Sequence, residues 1–272
     1  MTSTVLNTYV TFGYMAVAVL YLIGYGSGLL VTKFRRLLMA ALLLVFAFHT
    51  AGIGLRWVES YQMGIGHAPL SNLYESLVFF SWCIALALIV VQIRFKLDVI
   101  VLLGLPLVFL IMASTSLLDP SIKPLIPALQ SNWLVAHVLT CFLGYAGFAV
   151  SFVAALLLLL TRGSEFAAKH LPRKDILDEV VYRSVLVGFP LLTIGIITGA
   201  AWADYAWGSY WSWDPKETWS LITWLVYSAF LHARLARGWT GHRTAVLSVV
   251  GFGAVLFTYF GVNYLPGLHS YF

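Results

Sequence analysis

Residues 207–219 read WGSYWSWDPKETW, which places four tryptophans, a tyrosine, two acids and a lysine in one short stretch. The chain also carries seven histidines: His49, His67, His137, His170, His232, His242 and His269. Imidazole and indole together suit one kind of chemistry. Imidazole nitrogens ligate a metal, and indole faces cover a flat apolar molecule. Zinc is one candidate, because histidine is its common ligand. The sequence, however, has no HxxxH or HxxE spacing and no cysteine cluster to complete a tetrahedral site. Haem fits better, as a flat macrocycle whose iron takes axial imidazoles. Cys83 and Cys141 stand apart, without CxxC or CxxCH, so neither a thioredoxin-type redox pair nor a covalent haem attachment motif is present. Both cysteines read as buried packing residues.

Which of these residues can meet depends on the elements that carry them. Hydrophobic residues make up 61% of the chain and charged residues 10%. The apolar runs approach ~20 residues, enough to cross a bilayer as helices. Spans are predicted at about 9–31, 37–57, 73–93, 97–117, 133–161, 184–203, 218–236 and 244–262. The expected fold is all-α: a polytopic membrane helix bundle of about eight transmembrane helices, forming a single domain over 1–272. The first run lacks a basic n-region and is too long for a cleavable signal. Thirteen of the sixteen Lys and Arg residues fall in the loops of one side, and only Arg56, Lys123 and Lys216 in those of the other. The basic side is the cytoplasmic one by the positive-inside rule, which puts both termini outside. The net charge of +5 therefore reports membrane flanks and not nucleic-acid binding. The largest inward loop, 162–183, leaves no room for a soluble catalytic domain.

On this topology the segments 57–72, 118–132, 202–217 and 263–272 face outward. His137 lies about one turn into the fifth span and His269 in the outer tail, both at the level of the tryptophans. His232 falls in the inner leaflet, and His49 in the outer half of the second span. His170 and His242 sit in basic loops and read as solvated. His67 is either a loop residue or a substrate contact. A membrane histidine can instead make an interhelical hydrogen bond, worth ~0.6–2 kcal/mol. Two at one level beside an aromatic platform favour a ligand pair. From His137 the same helix face carries Thr140 or Cys141, Gly144, Gly147 and Ser151. That small-residue stripe serves either close helix packing or a slot for a planar ligand.

The stretch WGSYWSWDPKETWSLITWLVYSAFLHAR resembles the CcsA (ResC) family of System II cytochrome c biogenesis, within the haem-handling superfamily named for its tryptophan-rich WWD domain. RWVESYQMGIGHAPLSNLYESLVFFSW is similar to that family's region between the second and third spans. LQSNWLVAHVLTCFLGYAGF is similar to its first external-histidine helix. The resemblance implies that His137 and His269 are the external axial ligands of haem b, flanking a WWD segment at about 202–219. It implies that His232 is the membrane ligand, with the second ligand there coming from a CcsB (ResB)-like membrane protein. Trp207, Trp211, Trp213 and Trp219 would wall the haem, with Tyr210 at the edge. Asp214, Pro215, Lys216 and Glu217 would turn the chain into the seventh span, since proline and acids suit a helix start. Lys216 alternatively meets a haem propionate, and Arg234 either meets propionates or anchors its span.

The function implied is that of a membrane subunit of a cytochrome c synthase, set in a bacterial-type plasma membrane or a thylakoid membrane. It would carry haem to the outer face and present it for thioether attachment to a CxxCH apocytochrome c, with a thioredoxin-like thiol reductant as a further partner. A haem exporter or relay without ligation is the alternative. A b-type electron-transfer subunit is the third reading. His49 is a candidate local ligand that the depth of His232 does not match.

Overall fold

An apolar segment inside a bilayer must satisfy its own backbone polar groups, and helices do so within one segment. The computed structural model describes residues 2–28, 32–161 and 171–267. Its elements are α1 (Ser3–Gly26), α2 (Thr32–Gln62), α3 (Leu73–Phe95), α4 (Asp98–Ser114), α5 (Asn132–Leu160), α6 (Lys174–Trp207), α7 (Pro215–Arg237) and α8 (His242–Tyr259), with three short 3-10 turns. No strand occurs among the described residues. Seven of these helices are long and apolar enough to cross a membrane, so the chain is a multi-pass helical membrane protein. The exception is α7, where an eighth span was expected. It has the length, at 23 residues, but Lys216, Glu217, His232, Arg234 and Arg237 crowd its two ends.

Several helices start earlier than their hydropathy predicts, α1 and α6 by the most. The span expected from residue 9 begins at Ser3, because Thr2 caps the helix by accepting from the Val5 amide at 3.4 Å. Glu59 then takes up the next polar group, accepting from the Ser3 amide at 2.8 Å. The span expected from 184 begins at Lys174, inside the predicted inward loop. The extra turns hold Asp178, which is 9% exposed and fully engaged. Its carboxylate accepts from Arg234 at 2.6 Å, from the Gly241 amide at 2.7 Å and from Thr244 at 3.2 Å. Arg234 also lies over the Tyr182 ring, so it is an internal anchor and not a free propionate ligand.

The helices group into two compact units, Met1–Leu129 and Gln130–Phe272. In the first, the ion pair of Arg56 and Glu75, 2.8 Å apart, is almost entirely buried. Arg56 also donates to the carbonyls of Pro120 and Ser121, at 2.9 and 3.3 Å, and Glu75 accepts from Ser71 at 2.8 Å. One guanidinium thus ties α2, α3 and the segment after α4 together. Such a pair stabilises only when its remaining hydrogen-bonding capacity is also used, and here each guanidinium nitrogen has an acceptor.

The second unit is built on α5 against α6. Cβ atoms placed on Gly144 and Gly188 would lie 2.9 and 2.8 Å from each other's carbonyl oxygens, and one on Gly147 would lie 2.9 Å from the Ser184 oxygen. A Cβ on Gly195 would run into the Cys141 sulfur. Contacts therefore climb α5 as they descend α6, and small residues bring the backbones together as in other membrane helix pairs. The stripe seen in the sequence is helix packing and not a slot. It ends at Ser151, whose hydroxyl donates to the Val181 carbonyl at 3.1 Å and pairs with Ser248 of α8 at 2.7 Å.

The WDPKE run is a helix start. Asp214 caps α7 by accepting from the Lys216 amide at 2.9 Å, Pro215 is the first helical residue, and Glu217 closes a capping box on the Asp214 amide at 3.2 Å. Glu217 also takes the Ser212 amide at 2.7 Å. These bonds hold Trp213 at φ +61°, a left-handed conformation costly for a bulky residue.

Gly188→Ala should overpack the α5–α6 contact and cost about 1–3 kcal/mol. It should lower the unfolding midpoint in detergent, whereas Gly253→Ala, with open space around it, should not. Asp214→Ala should cost about 1 kcal/mol and Asp214→Asn much less, since asparagine also caps. Hydrogen exchange over residues 212–217 should rise in the alanine variant alone.

Candidate functional site

His137 sits one and a half turns into α5 where that helix faces Gly195, Gly199 and Trp202 of α6. Those three positions are spaced i, i+4 and i+7, so they share one face of α6. The His137 ring lies half-buried against this face, with Nδ1 2.7 Å from the Gly195 carbonyl oxygen. A carbonyl only accepts, so Nδ1 carries the proton and Nε2 keeps its lone pair. Nε2 makes no hydrogen bond among the described residues. This is the arrangement of a metal-ligating histidine, whose second nitrogen is fixed by a carbonyl or carboxylate. A Cβ on Gly199 would lie 2.6 Å from Nδ1, so only glycine leaves room for the ring. The Cys141 sulfur, one turn on, is 3.6 Å from the same nitrogen.

Trp202 is buried and stacks on His137, with ring centroids 6.1 Å apart and planes 19° from parallel. Trp202 also meets Trp207 edge-on, with ring centroids 5.0 Å apart. The chain of rings His137–Trp202–Trp207 therefore joins the histidine to the tryptophan segment. Sequence reasoning named Trp207 and passed over Trp202, although its spacing from Gly195 and Gly199 was readable. Trp202 to Trp207 is the last stretch of α6 and not loop, and the loop proper begins at Gly208 with φ +73°.

The other tryptophans form separate contacts. Trp211 and Trp213 pack perpendicular at 5.7 Å, with Trp213 68% exposed. Trp219 lies against Phe257 of α8 at 4.1 Å. Lys216 is half-buried beside them. Burial holds its ammonium below the ordinary lysine pKa, partly offset by the Asp214 carboxylate. At the other edge, a Cβ on Gly267 would lie 2.5 Å from an Asp214 carboxylate oxygen and 3.1 Å from Pro215, so the chain after α8 packs on the cap. His269 and His170 lie outside the described residues.

The remaining histidines divide cleanly. His49 is fully buried with both nitrogens engaged, accepting from the Tyr14 hydroxyl at 3.0 Å and donating to the Val78 carbonyl at 3.1 Å. It holds α1, α2 and α3 together and has no lone pair to offer. His67 spans two loops, with ring nitrogens 2.8 and 3.0 Å from the carbonyls of Ala68 and Lys123. It is a loop residue by its contacts. His232 is exposed on α7, on a face shared with exposed Leu225 and Leu235. Among the described residues no three His, Cys, Asp or Glu side chains converge as a metal cluster, so the imidazoles act singly or with partners from elsewhere.

A family model described as cytochrome C assembly protein matches residues 70–269, which include α5 to α8 and every residue of this site. The chain is 42% identical over 279 aligned residues to a cytochrome c biogenesis protein CcsA of Guillardia theta, covering 92% of this chain and 91% of that one. It is 41% identical over 268 residues to the protein of the same name from Synechococcus sp. (strain CC9605), covering 87% and 86%. With the CcsA of Chlamydomonas reinhardtii it shares 44% over 229 residues, 79% of this chain and 63% of the longer relative. The family model and these relatives, each alike over most of the chain, thus place this multi-pass helical protein in the CcsA family of cytochrome c assembly proteins, which acts in cytochrome c maturation.

Proposed function

We propose that this chain is the haem-binding membrane subunit of a two-protein cytochrome c synthase, with a CcsB (ResB)-like protein as the other half. One observation carries the reading: His137 donates its Nδ1 proton to the Gly195 carbonyl, makes no Nε2 hydrogen bond among the described residues, and stacks on Trp202, which in turn meets Trp207. A neutral, oriented imidazole with an unused lone pair next to indole faces suits haem b, whose iron takes axial imidazole and whose faces are apolar. His269 supplies the second external ligand. Gly267 packs on Asp214 and Pro215, and two residues of extended chain reach about 7 Å.

This end of the bundle lies on the outer side of the membrane, a reading that rests on the uneven share of Lys and Arg between the two sets of loops. There the synthase presents haem to an apocytochrome CxxCH segment. Each cysteine S–H adds across a vinyl C=C, forming one C–S and one C–H bond with no net redox change. A thioredoxin-like reductant keeps those thiols reduced beforehand. The chain's own contribution is binding and orientation: His137 and His269 hold the iron until the substrate's histidine displaces one of them.

His232 is the inner-leaflet ligand. Its ring is exposed and its helix face carries Leu225 and Leu235, which suits a site completed by a partner helix. Haem held there precedes the outer site. A relay without ligation uses the same histidines, and covalent attachment decides between the two.

The test is co-expression of the full chain with its partner and a reporter apocytochrome c, scoring covalent haem and the haem spectrum. The intact pair should give covalent haem and a low-spin bis-histidine spectrum. His137→Ala should abolish attachment, retain inner haem and recover with added imidazole. His232→Ala should deplete both sites, whereas His49→Gln should leave haem ligation unchanged. Unaltered spectra and full attachment in both the His137 and His269 alanine variants would refute the external pair, and a normally loaded outer site in the His232 variant would refute the inner-to-outer order.

A further inference from the structure

The tryptophan that touches the ligand histidine is not one of those that the WGSYWSWD run displays. Trp213 is 68% exposed, and Trp211 meets it edge to face, so both offer surface. Trp202 offers almost none, being 3% exposed. Its indole is used inside the protein, with one neighbour the His137 ring and another Trp207. The three groups around His137 act on different freedoms of the ring. The Gly195 carbonyl holds Nδ1 and fixes the tautomer. Gly199 leaves the space the ring occupies. Neither of these fixes the tilt of the ring plane about the Nδ1 hydrogen bond. The Trp202 face, lying 19° from parallel with the imidazole, restricts that rotation.

We infer that Trp202 is a positioning residue for His137, setting the plane and aim of its imidazole and coupling it through Trp207 to the tryptophan segment. The inference rests on the reading of His137 as an axial haem ligand and goes beyond it by assigning the group that orients the ligand. Two consequences follow. Loss of the indole face should leave the His137 nitrogens and the helix contact in place while freeing the ring to rotate. Ligation should then persist with altered geometry and be displaced more easily by a competing base. Phenylalanine, which keeps a ring face, should preserve most of the effect, while leucine, which keeps apolar bulk without a face, should not.

The experiment uses the full chain in detergent, loaded with haem b and purified without a partner, so that a His232 haem lacks its partner-supplied second ligand. The readouts are the ferric low-spin electron paramagnetic resonance signal, whose largest g-value depends on the relative planes of the two axial imidazoles, and the imidazole concentration that half-displaces the native ligand. Trp202→Leu should shift the g-value and lower the half-displacement concentration about fivefold, the size of one aromatic contact. Trp202→Phe should stay near wild type. Trp202→Met serves as the second faceless variant where leucine impairs insertion. A faceless variant with both readouts unchanged overturns the inference while leaving His137 as ligand. A phenylalanine variant as altered as leucine also overturns it, because the ring face would then not be what matters. Wild type without any bis-histidine signal overturns the inference together with the reading on which it rests.

Discussion

The approach of α5 to α6 at Gly144 and Gly188 sets everything at the tryptophan end of the second unit. With a carbonyl oxygen under 3 Å from where each Cβ would stand, the two backbones are as close as side chains permit. At that separation the Gly195 carbonyl comes within 2.7 Å of His137. A single methyl group in the stripe would open the helices, lengthen that bond and lift the histidine off Trp202. Chemistry at the end of the bundle thus depends on steric room some two turns away. In hydrocarbon, where no hydrophobic force drives helices together, that close packing is what association has to rely on.

Polar groups in the two units are placed with similar economy. Arg56, Glu75, Asp178 and Arg234 are each buried or nearly so, and each is satisfied several times over. They close helix ends and loops and leave nothing to bind a ligand. His49 follows the same rule, with both nitrogens used. His137 breaks it, bonded at one nitrogen and, among the described residues, open at the other. Among the buried or half-buried histidines of α1 to α8, that asymmetry sets the proposed ligand apart from a structural bond. Depth in the membrane does not.

Much of this was legible in the sequence, because hydropathy and helix punctuation are local. The spans at 73–93 and 133–161 match Leu73–Phe95 and Asn132–Leu160 closely. The WDPKE run announced its own turn, since cap, proline and N3 acid act over a few residues. Misjudged were α1 and α6, where polar residues that look like loop are paid for by distant partners, Glu59 for Ser3 and Arg234 for Asp178. The apolar character of α7 was overread because its middle hides its charged ends. The role of the small-residue stripe could not be settled from one helix alone, because the deciding atoms belong to Gly188 and Ser184. Trp202 escaped for the same reason: its importance lies in the face it shares with Gly195 and Gly199, opposite a residue 65 positions away by sequence.

The identity of the group behind His137 also fits a site that hands on what it holds. A carboxylate at Nδ1 would bury a charge, make the imidazole a stronger donor and bind the iron more firmly. The Gly195 carbonyl is neutral, with the Thr198 hydroxyl, which donates to the Ile194 carbonyl at 2.8 Å, also 3.1 Å from its oxygen. An uncharged acceptor fixes the tautomer without adding much basicity to Nε2. Orientation then has to come from shape, from the space at Gly199 and the face of Trp202. For the ligand proposed here, which would yield to the histidine of an incoming CxxCH segment, aim without excess affinity is the useful combination. Neutral hydrogen bonding plus stacking provides it where an ion pair would not.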